Sequence, residues 1–446
     1  MMTPLCDFVR DYLHRDPLRL HMPGHKGNGP LGCEALDITE ITGADVLYHA
    51  DGILAQSQEN AARLFGAAKT LYSTEGSSLS IRAMLYLTLL WANAQGKAPK
   101  IAAGRNAHKV FTTACGLLDL TVDWLYPADQ SNLLACEITA DALEEYFART
   151  VQPPVAVYIT SPDYLGNLAD ISGLAEVCHR HGALLLVDNA HGAYLRFLQT
   201  SLHPMDFGAD LCCDSAHKTL PVLTGGGYLH ISAQAPTFFA QQAETAMGVF
   251  ASTSPSYLIL QSLDANNAYL ATDYPPQLTS FLQEVISLKQ RLETAGFPLM
   301  GQEPLKLTLA PKAYGYTGTE LAALLEAQGL VCEFCDPDFL VLMLTPELGH
   351  DALARIERTL SALPRREAIC QAPPPLPMPL QACPLRQALF APSQTLDTKD
   401  CLGKVLAQAT VSCPPAIPVV VCGEVIDEAA IACLTYYGID SCRVLI

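Results

Sequence analysis

Lys218 stands in the run CDSAHKTLPVLTGGGYLHI, residues 213–231, between a strand-like segment and a turn carrying Gly225, Gly226 and Gly227. Lysine is ordinarily a solvated surface residue. To act as a nucleophile it should be partly desolvated, because desolvation favours the uncharged amine. The glycines permit the tight turn because they lack a Cβ. Upstream, in LLLVDNAHGAY (184–194), Asp188 ends a hydrophobic strand and His191 follows three residues later. A carboxylate there needs water, a cap or a cationic partner. Taken alone, capping the next turn explains Asp188 as well as a functional role does.

Two further segments carry chemistry. In STEGSSLS (73–80), Gly76, Ser77 and Ser78 precede an apolar helical run. Free N–H groups at a helix start, with two hydroxyls, form an anion cradle; plain N-capping is the simpler account of this motif alone. In GRNAHKV (104–110), His108 follows a predicted strand at the edge where open α/β sheets bind ligands. An imidazole there can stack on a flat ring, although a single loop histidine is more often a plain surface residue. One cofactor uses all four features together. Pyridoxal phosphate needs a lysine for a Schiff base, an acid for its ring nitrogen, an anion site for its phosphate and a stacking group. Ser215, three residues before Lys218, adds a hydroxyl suited to the phosphate.

The elements that must position these residues follow from periodicity. KIAAG, TVDWLY, VAVYIT and ALLLVDN read as short buried strands. AQSQENAARLFGA, the apolar SSLSIRAMLYLTLLWANA and the amphipathic ISGLAEVCHRHG read as helices, the last ended by Gly182. Alternating strands and helices predict an α/β fold with a mostly parallel, doubly covered sheet. Residues 1–50 read as a turn-rich N-terminal arm and 51–265 as the cofactor-binding large domain. Residues 266–371 read as a small α+β domain, 372–384 as a proline-rich linker and 385–446 as a C-terminal subdomain. In that last part TKDCLGKVLAQA is expected to be helical and IPVVVCGEVI strand-like.

The 446 residues are half hydrophobic and 16% charged, enough for a large core. Lys and Arg number 27 against 45 Asp and Glu, a net charge of −18. That balance disfavours nucleic acid and suits a small cationic substrate. The N-terminus has no apolar signal-peptide core, and the apolar runs are too short to span a bilayer, so a cytoplasmic protein is expected. The 16 cysteines are scattered and read as reduced thiols. Cys332 and Cys335 form one CxxC without a second ligand pair; they read as strand residues, and no metal site is expected.

The ordered segments HMPGHKG, DITEITGADVLYHADGILAQSQENAARLFGA, GSS, GRNAHK, TSPDYLGNLADI, VDNAHGAY, SAHKTLPVLTGGGYLHI, STSPSYLILQSLD and PPAIPVVVCGEVID run from residue 21 to about 427. In them the chain resembles the Orn/Lys/Arg decarboxylase family of fold type I, aspartate aminotransferase-like, pyridoxal-phosphate enzymes. The resemblance implies decarboxylation of lysine, arginine or ornithine to the amine, the chemistry that feeds polyamine biosynthesis. It implies that Lys218 forms the Schiff base, that Asp188 pairs with the ring nitrogen and that His108 stacks. Ser77, Ser78 and Ser215 hold the phosphate, with His191 and His217 also at the cofactor. His217 is the candidate proton donor and Glu424 the candidate partner of the substrate's distal cation. It further implies a homodimer with shared active sites, in a short form that lacks the N-terminal wing of some members. Three positions depart from the family pattern: Asp163 for threonine, Ala416 for glycine and Cys422 for proline. An aminotransferase, which needs a group such as arginine for a second α-carboxylate, and a non-catalytic homologue are the rival readings.

Overall fold

The computed structural model describes residues 1–408 and 415–446. Its central sheet has seven strands: β1 Lys69–Ser73, β2 Lys100–Gly104, β3 Thr121–Leu125, β4 Ala156–Thr160, β5 Leu184–Asp188, β6 Leu211–Asp214 and β7 Gly227–Ile231. Their spatial order is β1-β7-β6-β5-β4-β2-β3. β6, β5, β4, β2 and β3 pair in parallel, while β7 is antiparallel to both β6 and β1. The strand sequences are continuous apolar runs because helices cover both faces.

The helices of this part are α1 Pro4–His14, α2 Ile53–Phe65, α3 Gly76–Ala94, α4 Lys109–Leu118, α5 Ala140–Arg149, α6 Ile171–Arg180, the one-turn α7 Ala216–Thr219, α8 Thr237–Phe250, α9 Tyr257–Thr272 and α10 Tyr274–Thr294. α3 is apolar nearly all round and is buried under the sheet, packed on α4 and α8. The N-terminal segment departs from a simple arm. α1 buries Leu5, Val9 and Tyr12 and packs on α2 and α9. Asp264 of α9 accepts the Leu5 and Cys6 N–H groups, both at 3.0 Å, and so caps that helix.

The smaller unit is an antiparallel sheet of β8 Leu299–Met300, β9 Lys306–Leu309, β10 Phe334–Cys335 and β11 Leu340–Met343, ordered β10-β11-β9-β8. α11 Gly318–Glu326 and α12 His350–Ser361 accompany it. The expected strand LVCEFC shrinks to two residues and leaves Cys332 outside it. Asp336 ends the strand by accepting the Asp338 and Phe339 N–H groups, both at 2.7 Å.

The C-terminal part corrects the sequence expectation. The predicted helix over TKDCLGKVLAQA is a short turn at Thr398–Asp400 followed by two bridges, Val405 with Val425 and Leu406 with Val444. Gly403 at φ +73° interrupts any helix there, and Ala409 lies outside the described residues. The predicted strand IPVVVCGEVI is turns and two isolated bridges, Glu424 with Gln381 and Val425 with Val405. Val419, Val420 and Val421 are apolar because they are buried. The ordered elements are α13 Leu385–Phe390, α14 Glu428–Tyr436 and the antiparallel pair β12 Ser393–Asp397 and β13 Ser441–Leu445. Among the described residues no helix is long and apolar enough to cross a membrane.

Candidate active site

β1, β2, β4, β5 and β6 all end at one edge of the sheet, and β7 starts there. Register places Thr160 beside Asp188, Asp188 beside Cys213, and Ser73 beside Gly227. A cavity of about 410 Å³ opens at this edge, lined among others by Ser77, Ser78, His108, Thr160, Asp188, His191, Ser215, His217 and Lys218. Every cofactor residue expected from sequence therefore meets at one place.

The first turn of α3 points into the cavity and has no side-chain cap from Glu75. Its free N–H groups and the helix dipole favour an anion. Ser215 Oγ lies 2.9 Å from Ser77 Oγ, so the two hydroxyls converge. The glycine turn is packed against this helix start: the Gly76 N–H donates to Gly225 O at 2.6 Å. A Cβ on Gly225, at φ +99°, would come 2.7 Å from Thr74 O, and one on Gly227 would come 2.9 Å from the Gly76 carbonyl carbon. The glycines beside Lys218 thus allow close approach of two backbone segments around the anion site.

Asp188 is 3% exposed and well supplied with donors. Tyr158 OH donates to Oδ2 at 2.9 Å, and the Ala190 N–H donates to Oδ1 at 3.2 Å. Burial, and next the Asp188 charge, push the Tyr158 phenol well above its ordinary range, so it remains a donor. His108 caps α4, its Nδ1 accepting the Val110 N–H at 3.2 Å. Burial first, with the Lys218 and Lys109 charges, pushes it down to about 4, so the ring is neutral at pH 7. His217 Nδ1 donates to Gly226 O at 2.9 Å, which leaves Nε2 as the nitrogen that exchanges a proton. Burial lowers this imidazole as well. His191 Nε2 lies 3.0 Å from Lys218 Nζ, and its ring packs edge-on to Tyr164 at 5.1 Å.

Glu424 is placed differently from the sequence expectation. Its Oε2 accepts from Arg105 at 2.9 Å and from the Val421 N–H at 2.6 Å, with the two side chains 2% and 1% exposed. It is not among the residues lining the cavity. Arg105 also donates to Pro418 O and Val419 O at 3.3 and 3.2 Å, tying the segment that contributes Pro415, Ala416 and Ile417 to the cavity. Sequence reasoning singled out neither Arg105 nor Tyr158, Thr160 or Lys306. Arg105 and Lys306 had one signal, a charge inside an otherwise apolar stretch. Tyr158 had none, because it reads as one more aromatic strand residue.

Among the described residues His203, Asp214 and His230 have donor atoms close enough to hold a metal. His203 Nδ1 accepts the Met205 N–H, so its proton sits on Nε2 and points at Asp214, 3.0 Å away. The trio is a buried hydrogen-bond cluster.

The sequence model of the Orn/Lys/Arg decarboxylase major domain matches residues 3–303. The chain belongs to the Orn/Lys/Arg decarboxylase family. It is 29% identical to an arginine decarboxylase of Halalkalibacterium halodurans, covering 96% of this chain and 92% of that one. An arginine decarboxylase of Bacillus subtilis is 27% identical, again over 96% and 92%. The structure of the Francisella novicida lysine decarboxylase superposes with a TM-score of 0.80 at 15% identity, over 100% of this chain and 81% of that one, and shares the fold. Fold type I pyridoxal-phosphate enzymes have this mostly parallel sheet, and structural neighbours include serine palmitoyltransferase, at a TM-score of 0.54.

Against the family pattern, Asp163 is spent within its own loop. It accepts the Leu165 and Asn167 N–H groups and Asn167 Nδ2, at 2.9, 2.9 and 2.7 Å. Ala416 lines the cavity at φ +60°, a conformation that glycine adopts without strain, and its carbonyl accepts the Lys109 N–H at 2.9 Å. Cys422 is buried away from the cavity.

Proposed function

We propose that this family member binds pyridoxal phosphate and decarboxylates a basic amino acid, lysine, arginine or ornithine, to carbon dioxide and the corresponding amine. The observation that carries the reading is the convergence of Lys218, Asp188, His108 and the Ser77–Ser215 pair on one cavity. The residues fit the cofactor. Thr160 Oγ1 is buried at the cavity and has no hydrogen-bond partner among the described residues, and the uncapped start of α3 awaits an anion. Lys218 supplies the amine that bonds the cofactor's aldehyde. Ser77, Ser78, Ser215 and the N–H groups of α3 that follow Gly76 hold the phosphate.

When bound, the cofactor supplies a conjugated ring that takes up the electron pair released as the Cα–carboxylate bond breaks. Asp188, held by Tyr158 and the Ala190 N–H, keeps a proton on the ring nitrogen. Neutral His108 stacks on the ring without adding a positive charge to it. His217 gives a proton to Cα from Nε2, which it must first take up, because Nδ1–H is committed to Gly226 O. Cavity-lining carboxylates among the described residues are Asp188 and Glu75. Glu75 therefore meets the distal cation, fixed by the Ser252 N–H at 2.9 Å on its Oε1. Leu18, Leu20 and Leu31, each 83% exposed in the N-terminal segment, support a homodimer in which that segment covers the partner.

No arginine lines the cavity among the described residues, which weighs against an aminotransferase. The test incubates the purified protein with each of the three amino acids. Carbon dioxide and the matching amine are expected, with borohydride fixing the cofactor on Lys218. A keto acid without carbon dioxide, or bound cofactor with no turnover, rejects the assignment.

A further inference from the structure

Thr160 closes β4, and its hydroxyl has no task within the protein. Oγ1 is buried at the cavity and has no hydrogen-bond partner among the described residues. Burying a hydroxyl without a partner is costly. A ligand that brings an acceptor to this point removes that cost.

Register gives the direction of the side chain. Thr160 pairs with Asp188 across β4 and β5, so both side chains leave the same face of the sheet. Tyr158, two residues earlier on β4, shares that face and donates to Asp188 at 2.9 Å. Neighbouring strands lie about 4.8 Å apart, a spacing comparable with the width of a six-membered ring. A ring whose nitrogen meets Asp188 therefore has one of its edges within reach of the end of β4.

Strand order decides which edge. In pyridoxal phosphate the phosphate arm and the phenolic oxygen flank the aldehyde, on opposite sides of the axis through the ring nitrogen. β6, which leads into Ser215, borders β5 on one side, and β4 borders it on the other. β1, which leads into Ser77 and Ser78, lies further out on the β6 side. With the phosphate at Ser77 and Ser215, the phenolic oxygen turns toward β4. Other groups on that side are occupied or lack a proton. The Ser161 N–H donates to Asp188 O at 3.0 Å, and Ser161 Oγ accepts the Ala169 N–H at 3.1 Å. Pro162 has no N–H. Asn106 lies beyond the end of β2, one strand further out, and its Nδ2 donates to Leu134 O at 3.5 Å.

We propose that Thr160 is a cofactor-binding residue whose hydroxyl donates to the phenolic oxygen of pyridoxal phosphate and holds that oxygen in its charged form. The inference rests on the cofactor reading of this cavity. It gives β4 two roles at the cofactor, Tyr158 acting through Asp188 and Thr160 acting directly.

The test titrates the full chain carrying pyridoxal phosphate and follows the cofactor's absorbance from pH 6 to 10. The absorbance changes as the bound cofactor gives up the proton shared by its phenolic oxygen and the Lys218 nitrogen. Without the donor that oxygen holds the proton more tightly, so Thr160→Val should raise the midpoint by about one unit. Cofactor binding should weaken about tenfold. Thr160→Ser, which keeps the hydroxyl, should retain the parent midpoint. In the cofactor-free chain Thr160→Val should unfold in urea no earlier than the parent, because Oγ1 has no partner there to lose. Parent and variant should bind equally a pyridoxal phosphate analogue that lacks the phenolic oxygen. An unchanged midpoint in Thr160→Val, or an equal loss of affinity for that analogue, overturns the proposal. Earlier unfolding of the cofactor-free variant assigns the hydroxyl to the fold and overturns it too. Where Thr160→Val does not fold, Thr160→Ala takes its place under the same criteria. A parent chain that shows no cofactor absorbance overturns the cofactor reading itself, a distinct result.

Discussion

Replacing Glu424 by alanine separates a structural role from a substrate-binding one. Among the described residues the carboxylate is the charged partner of Arg105, at 2.9 Å, and both side chains are almost fully buried. Without it the guanidinium remains buried, with the Pro418 and Val419 carbonyls at 3.3 and 3.2 Å and the Trp124 and Tyr126 rings at 5.3 and 5.9 Å. Removing one partner of a buried ion pair typically costs about 3–5 kcal/mol. The remaining carbonyls and rings place this case near the lower end, about 3 kcal/mol. Urea unfolding followed by circular dichroism measures the loss. Arg105→Met combined with Glu424→Leu removes both charges and should recover at least half of it. Because the pair anchors the segment bearing Pro415, Ala416 and Ile417, Glu424→Ala should also weaken cofactor binding. A variant whose stability lies within about 0.5 kcal/mol of the parent, and whose only defect is a raised KM for the basic amino acid, refutes the reasoning and returns Glu424 to the substrate.

Tyr158→Phe removes the hydroxyl that donates to Asp188 at 2.9 Å; kcat should fall about tenfold with KM little changed, as read by steady-state amine release. Ser215→Ala deletes one of the two converging hydroxyls and should raise the pyridoxal-phosphate Kd about tenfold, measured by fluorescence titration, with little effect on unfolding. The cofactor-free chain should lose stability in acid. His108 is lowered to about 4 by burial, so below its ordinary 6.5 the unfolded chain binds a proton that the folded chain does not. Stability then falls as pH drops from 6.5 to 4, this imidazole contributing about 3 kcal/mol by the lower limit. Unfolding midpoints across that range check the sign. Ala416→Gly should relieve the positive φ and leave stability unchanged or up to about 1 kcal/mol higher, by the same urea assay.

The residues proposed to hold the cofactor gather at one cavity because each lies at or just beyond a strand end. Strand ends announce themselves by the switch from apolar run to Gly, Ser or Asp, as at Ser73–Gly76 and Asp188–His191. α3 was legible for a similar reason, its apolar length being unmistakable. The C-terminal part was not. Val419, Val420 and Val421 have strand composition, yet their apolarity serves a buried turn, and a one-residue φ at Gly403 decides against a helix upstream. α1 was misread as arm because its buried face depends on Asp264, a residue of a distant helix.

Local chemistry was set by the chain itself: a lysine after a histidine, an acid closing a strand, serines opening a helix, and a family pattern running through most of the length. Those features are encoded by neighbours along the backbone, so they can be read without a fold. Pairing across distance was set elsewhere. That Glu424 neutralises Arg105, that Tyr158 supports Asp188 and that Lys306 reaches His191 all depend on which side chains are buried together. A buried charge takes whichever partner the packing brings within about 3 Å, and no spacing in the sequence states that distance.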